Sequence, residues 1–208
     1  MQMMKRLSMA RYAYATVAGT LVLSACAQNS DSTVPPAAAT TTTPAAVASP
    51  NVVNDLAKDV AGIEQKFVDL AKAMPDAAYT YRPMAGVRST QEVFLHMASE
   101  NYLLPAMFGA AIPAETKIVA GDFKTAGDYE KQAIKKDSVV AEVQASFAHI
   151  RKAMAADSGA IMSGEIDFFG TKMSRQAAWI GTVTHMHEHL GQLIAYARSN
   201  KVVPPWSK

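Results

Sequence analysis

The sequence predicts an all-α protein whose folded part is a four-helix bundle, and three observations carry that expectation. Four long stretches read as helices: two repeat apolar residues at alternating three- and four-residue spacing, the seam of a helix packed on its neighbours, one follows a capping box and one runs without proline from 174 to 200. Proline, glycine and capping residues stand between these stretches, where helices should stop and start. Hydrophobic residues make up 50% of the chain while mean hydropathy is +0.02, a balance that suits a domain with a real core. The net charge of +2 is small and the basic residues are scattered, without clusters of Lys/Arg interleaved with aromatics. Nucleic acid is therefore excluded as a partner.

The chain opens on a different kind of segment. Lys5, Arg6 and Arg11 precede an uncharged, mostly apolar run from Tyr12 to Leu23, which ends in Leu23-Ser24-Ala25-Cys26. A basic region, an apolar region and small residues at a cleavage point are the parts of a signal peptide, here residues 1–25. The run is shorter than the ~20 residues a mature membrane span needs. Leu-Ser-Ala-Cys resembles the bacterial lipobox, and Cys26 is the single cysteine of the chain, so no internal disulfide is available. Cys26 is thus the expected lipidation site and the membrane its expected partner. Gln28 is not the aspartate of inner-membrane retention, which favours the periplasmic side of the outer membrane. Residues 26–50 continue as a Ser/Thr/Ala/Pro-rich stretch with almost no large apolar side chains. Such a segment cannot bury a core and is expected to be a disordered tether, reaching about 25–30 Å as a flexible chain.

The domain itself is expected over 51–208. Its first helix, Asn51 to Met74, carries Val53, Leu56, Val60, Ile63, Phe67, Leu70 and Met74 on one seam, with charged residues off it, and Pro75 ends it. Residues 75–88 read as a loop. Ser89-Thr90-Gln91-Glu92 matches a capping box and starts the second helix, with His96 about two turns in and Pro105 as its end or kink. Residues 108–136 are broken by Gly109, Pro113, Gly121 and Gly127, with room for a short helix from Thr125 to Lys135. Asp137 or Ser138 caps the third long helix, where Val140, Val143, Phe147, Ile150 and Met154 repeat the seam and His149 falls off it. Residues 157–172 form a loop with a short extended piece at Glu165 to Phe169. Ser174 caps the last helix, which runs to Asn200, and a Val202-to-Trp206 tail folds back, with Trp206 in the core.

Chemistry is concentrated in the last helix, at His185-Met186-His187-Glu188-His189. Residues four apart share a helix face, so His185 and His189 can chelate one transition-metal ion, while His187 lies about 200° around from His185 and looks away. Two ligands hold an ion weakly, and His96 is the well-placed third. The bland alternative is that these imidazoles only fill the core. Imidazole donors suit zinc, nickel, copper or iron(II) better than magnesium or calcium. Three of them on Zn²⁺ would leave an open position for water or substrate, and protonation would compete below about pH 6. Gln192, one turn past His189, is a candidate to orient a ligand, as are Glu92 and Glu100 beside His96. Each glutamate also reads as a cap or an exposed charge.

With these residues in view, the chain resembles the DinB-like superfamily of four-helix bundles, which includes bacillithiol and mycothiol transferases. The matching features are Tyr81-Arg82-Pro83, Val87-Arg88-Ser89, His96, the run His185 to Gln192, and the Pro204-Pro205-Trp206-Ser207 ending. The resemblance covers nearly all of residues 51–208 and implies an up-down-down-up helix order. It also implies a divalent metal, zinc or nickel, held by His96, His185 and His189. The expected function is then an exported, lipid-anchored domain at the cell envelope, either a metal-dependent thiol transferase or a hydrolase. The alternative is a non-catalytic metal- or ligand-binding module. The small-molecule substrate is not named by the sequence, and a homodimer is left open.

Overall fold

The computed structural model describes residues 52–161 and 163–207. In chain order they form α1 (Val52–Ala73), α2 (Thr90–Leu103), α3 (Phe123–Glu130), α4 (Lys136–Asp157), a hairpin of β1 (Glu165–Phe168) and β2 (Thr171–Ser174), and α5 (Arg175–Ser199). Short 3-10 turns sit at Asp76–Thr80, Leu104–Phe108 and Ala114–Thr116. The expected signal peptide, Cys26 and the tether lie outside the described residues.

The domain is mostly helical. α1 packs along α4 and α5, α2 packs along the same two helices, and α3 lies against α2. The seam residues meet between them: Val60, Ile63, Phe67 and Leu70 of α1, Val143, Phe147 and Ile150 of α4, and Trp179, Met186 and Leu193 of α5 are at most 1% exposed. Phe67 sits at the centre, 5.4 Å from the ring of Phe147 and 6.3 Å from that of Phe94. Each such buried side chain contributes on the order of 2–3 kcal/mol of transfer free energy. α2 is buried on almost every side, since α3, α4 and α5 all cover it. Enclosure explains why its apolar periodicity is faint in the sequence, and it puts His96 in the interior.

Helix starts follow local chemistry where the sequence provides it. Ser89 Oγ accepts from the Glu92 backbone N–H at 3.2 Å while Glu92 Oε2 accepts from the Ser89 N–H at 2.9 Å, a complete capping box on α2. Ser174 caps α5 through the Ala177 N–H at 3.1 Å. α4 starts earlier than Asp137 or Ser138 would dictate, after Lys135, with no side-chain cap. The next residue explains the shift. The Lys136 ammonium donates to the carbonyls of Lys72 (2.9 Å) and Met74 (2.7 Å), so it closes the open end of α1 while α4 begins.

Four further segments differ from expectation. The loop after α1 contains a 3-10 turn, held by Tyr79, whose hydroxyl donates to the Ala71 carbonyl at 2.7 Å and whose ring stacks on Phe94. The short middle helix runs over Phe123–Glu130 because Asp122, accepting from the Lys124 N–H, caps it early. The extended piece near Glu165 has a partner: β1 and β2 pair antiparallel, Ile166 opposite Met173 and Phe168 opposite Thr171. Trp206 is not in the core but 36% exposed, since the buried Pro204 and the packed Val202 hold the tail in its place.

The hairpin turn is Phe169-Gly170, both with positive φ (53° and 82°). Two left-handed residues in a two-residue loop match strand twist, but that position favours Asn, Asp or Gly. A phenylalanine there costs about 1 kcal/mol or more.

Candidate metal centre

α2 and α5 lie side by side, which turns His96 toward His185 and His189. His96 is 7% exposed, and the two α5 histidines are half-buried. The three rings stand nearly perpendicular to one another. Their centroids are 5.5 Å apart for His96 and His185, 4.5 Å for His96 and His189, and 4.5 Å for His185 and His189. One ring nitrogen from each lies within 4.8 Å of the others. His187 points away as expected, its Nε2 2.9 Å from Asp59 on α1. His149 takes no part and lies beside the Tyr102 ring.

Hydrogen bonds from outside the triad fix which nitrogens face inward. The Arg88 carbonyl can only accept, so the Tyr196 hydroxyl donates to it (3.2 Å) and accepts from Gln192 Nε2 (2.9 Å). Gln192 therefore turns its Oε1 to His189, 2.9 Å from Nδ1, and that nitrogen must carry the proton. On the other side Glu130 Oε1 lies 2.6 Å from His96 Nδ1. Burial alone would push the Glu130 carboxyl up, but hydrogen bonds from His96 and from Arg88 (Nε, 2.7 Å) overcome it and hold the group below its ordinary value. An ionised carboxylate only accepts, so His96 Nδ1 is the donor as well.

With both rings neutral the remaining Nε2 atoms are acceptors, and they face each other at 3.1 Å. Two lone pairs in that position repel unless a proton or a metal ion joins them. A proton on His189 itself is disfavoured at neutral pH: burial first, against the Gln192 hydrogen bond, and then any charge on His96 or His185, push it down to about 4. His185 is lowered too, by burial and then by His96. A transition-metal ion fits. Two nitrogens bound at about 2.0–2.1 Å to one ion lie roughly 2.8–3.4 Å apart for angles between square and tetrahedral. Neutral imidazoles are also the form that binds metal.

Of the sequence-based candidates to orient ligands, Gln192 sits on His189 as described. Glu92 does not reach His96. Its carboxylate grips Arg82 at 2.5 Å through both oxygens and closes the capping box, which holds it below its ordinary value. Glu100 is not on His96 Nδ1 either; it lines a cavity beside His185, where burial pushes its carboxyl up. The carboxylate that holds His96 is Glu130, from the C-terminal end of α3, with Arg88 behind it. Glu130, Arg88 and Tyr196 escaped the sequence reading as site residues. Tyr196 had a signal, since residues 185, 189, 192 and 196 fall on one continuous helix stripe. Glu130 had only a weak one, the buried Ala126-Tyr129-Glu130 face of a short helix.

A model of the DinB superfamily matches residues 62–193. No curated protein matches the chain. Among solved structures, a DinB-like protein from Bacillus cereus ATCC 10987 is 12% identical, with a TM-score of 0.59 over 73% of this chain and 95% of its own. A protein described as a DinB-family member from Exiguobacterium sibiricum 255-15 is 19% identical, with a TM-score of 0.52 over 72% of this chain and 91% of its own. At these identities the likeness is one of fold, and it agrees with the family model: the chain belongs to the DinB superfamily.

Proposed function

We propose that this domain holds one divalent transition-metal ion, zinc or nickel, on His96, His185 and His189, and acts with it on a small molecule as a thiol transferase or hydrolase. One observation carries the reading. Glu130 and Gln192 engage the Nδ1 atoms of His96 and His189 from outside, which leaves their Nε2 atoms facing each other at 3.1 Å. A metal ion shared by the two nitrogens answers that contact, and His185 stands beside it as a third donor.

Bound there, such an ion supplies Lewis acidity, making a thiol or water easier to deprotonate at neutral pH. The residues of the chain do the rest. Glu130 and Arg88 lock the His96 ring and raise its donor strength. Gln192 and Tyr196 do the same for His189. His185 has a looser partner, Glu188 at 3.6 Å from Nδ1, and borders the cavity through which a substrate would arrive. We read the four long helices α1, α2, α4 and α5 as a four-helix bundle of up-down-down-up type. We place it at the cell envelope, lipid-anchored through Cys26, on the strength of the basic, apolar and Leu-Ser-Ala-Cys segments.

Elemental analysis of protein purified from metal-replete cells tests the centre. Near one equivalent of zinc or nickel per chain is expected, falling at least tenfold in His96→Ala. Less than a tenth of an equivalent in the unaltered protein removes the reading.

A further inference from the structure

A cavity of about 480 Å³ opens beside His185, within the size range of small-molecule sites. Its walls come from the α5 face that carries His185, from Leu104 beyond α2, and from Phe168 and Phe169 at the hairpin tip. Three features give this cavity a chemical preference. First, neither Lys nor Arg lines it, while Glu100 and Glu188 do, so no basic side chain answers an anionic group there. Second, Phe169 is held in a left-handed conformation that its side chain disfavours, and 45% of its surface remains exposed. It leans on Phe168 (4.6 Å between ring centroids) and Phe123 (5.2 Å), so the strained turn serves to hold an aromatic edge over the opening. Third, Gly181 sits in the interior of α5, where glycine weakens a helix, and a Cβ added there would meet nothing within 4 Å. The missing side chain is not demanded by backbone or packing; it leaves the cavity open.

We propose that this cavity seats an uncharged aromatic group of the molecule on which the three-histidine centre acts, with Phe168 and Phe169 as its wall. The inference rests on the metal-centre reading for its reaction but not for its binding site. An aromatic ring in this position stacks or packs edge-on against the two phenylalanines and lies next to the open side of His185. A carboxylate or phosphate group seated against the two phenylalanines meets two glutamates and no basic side chain, and has only the ion of the histidine centre as a counter-charge.

The test uses the full-length protein and the neutral fluorescent probe N-phenyl-1-naphthylamine, with metal content measured on the same samples. Saturable binding to the unaltered protein is expected, weakened at least tenfold in Gly181→Phe, with helix content and metal content unchanged. Phe169→Asn, which suits the left-handed turn, should weaken the probe at least threefold while raising the melting temperature. In metal-free protein the anionic probe 2-naphthoate should bind at least tenfold less tightly than the neutral one. The proposal is overturned if the unaltered protein does not bind the neutral probe, if Gly181→Phe binds it as tightly, or if 2-naphthoate binds the metal-free protein equally well. Probe binding that persists in metal-free protein leaves the cavity assignment standing even where the metal reading has failed, so the two failures are told apart.

Discussion

Replacing Glu130 by Gln asks whether the centre depends on the tautomer of His96. The carboxylate accepts from His96 Nδ1 at 2.6 Å and from Arg88 Nε at 2.7 Å. A carboxamide has the same shape but one oxygen. If that oxygen faces His96, its NH2 group meets the Arg88 donors. If it faces Arg88, the NH2 group meets His96, whose Nδ1 must then become the acceptor and whose proton moves to Nε2, into the metal position. Either outcome also removes a charge-assisted hydrogen bond, roughly twice as strong as a neutral one. Losing such an orienting partner typically costs 10–100-fold in metal affinity, or about 1.4–2.7 kcal/mol. The metal-free protein should change little in stability, because the variant also relieves the burial of a carboxylate. Competition against a zinc chelator of known affinity measures the effect. A Glu130→Gln affinity within threefold of the unaltered protein would refute the tautomer reasoning.

Other perturbations follow from the same geometry. Gln192→Leu frees the His189 ring and leaves the Tyr196 hydroxyl without its donor, so a 10–100-fold loss of metal affinity is expected in the same chelator assay. In metal-free protein the folded state holds His189 near 4 against about 6.5 unfolded, so the unfolded chain takes up the proton first as pH falls. Stability is therefore full above about pH 6.5 and declines between 6.5 and about 4, by roughly 1–3 kcal/mol once solvent screening is allowed for. Urea titrations across that range should show the decline and a shallower slope in His189→Gln. Asp157→Asn removes the charge partner of Arg175 and sets an NH2 group against either Arg175 or the Trp179 indole N–H (2.7 Å from the carboxylate), and should cost about 3–5 kcal/mol in the same titrations. Gly164→Ala would set a Cβ 2.3 Å from Arg175 Cδ and 3.0 Å from the Ala160 carbonyl, so a loss of at least ~1 kcal/mol is expected.

The long helices were legible because their periodicity and their stop signals agreed. Ser89 and Glu92 announced α2, Ser174 announced α5, and Pro75 closed α1. The histidine pair was equally plain, since helical spacing alone places His185 and His189 on one face, and the structure brings His96 to them. The partners of those histidines were harder to see. Glu92 and Glu100 flank His96 along its own helix, whereas the carboxylate that reaches it comes from Glu130, in a segment broken by glycines whose path only tertiary packing decides. The start of α4 has the same origin, because Lys136 is placed by the open carbonyls of α1 and not by a local cap. Trp206 illustrates the converse: a large apolar residue can stay at the surface when two neighbouring positions already anchor the tail.

X-ray absorption at the metal edge of the loaded, full-length protein tests the centre most directly. Three imidazole nitrogens at about 2.0–2.1 Å, one each removed in His96→Ala, His185→Ala and His189→Ala, is the predicted result for zinc. A bound ion with one imidazole or none, or with its ligands unchanged in those variants, would contradict the account.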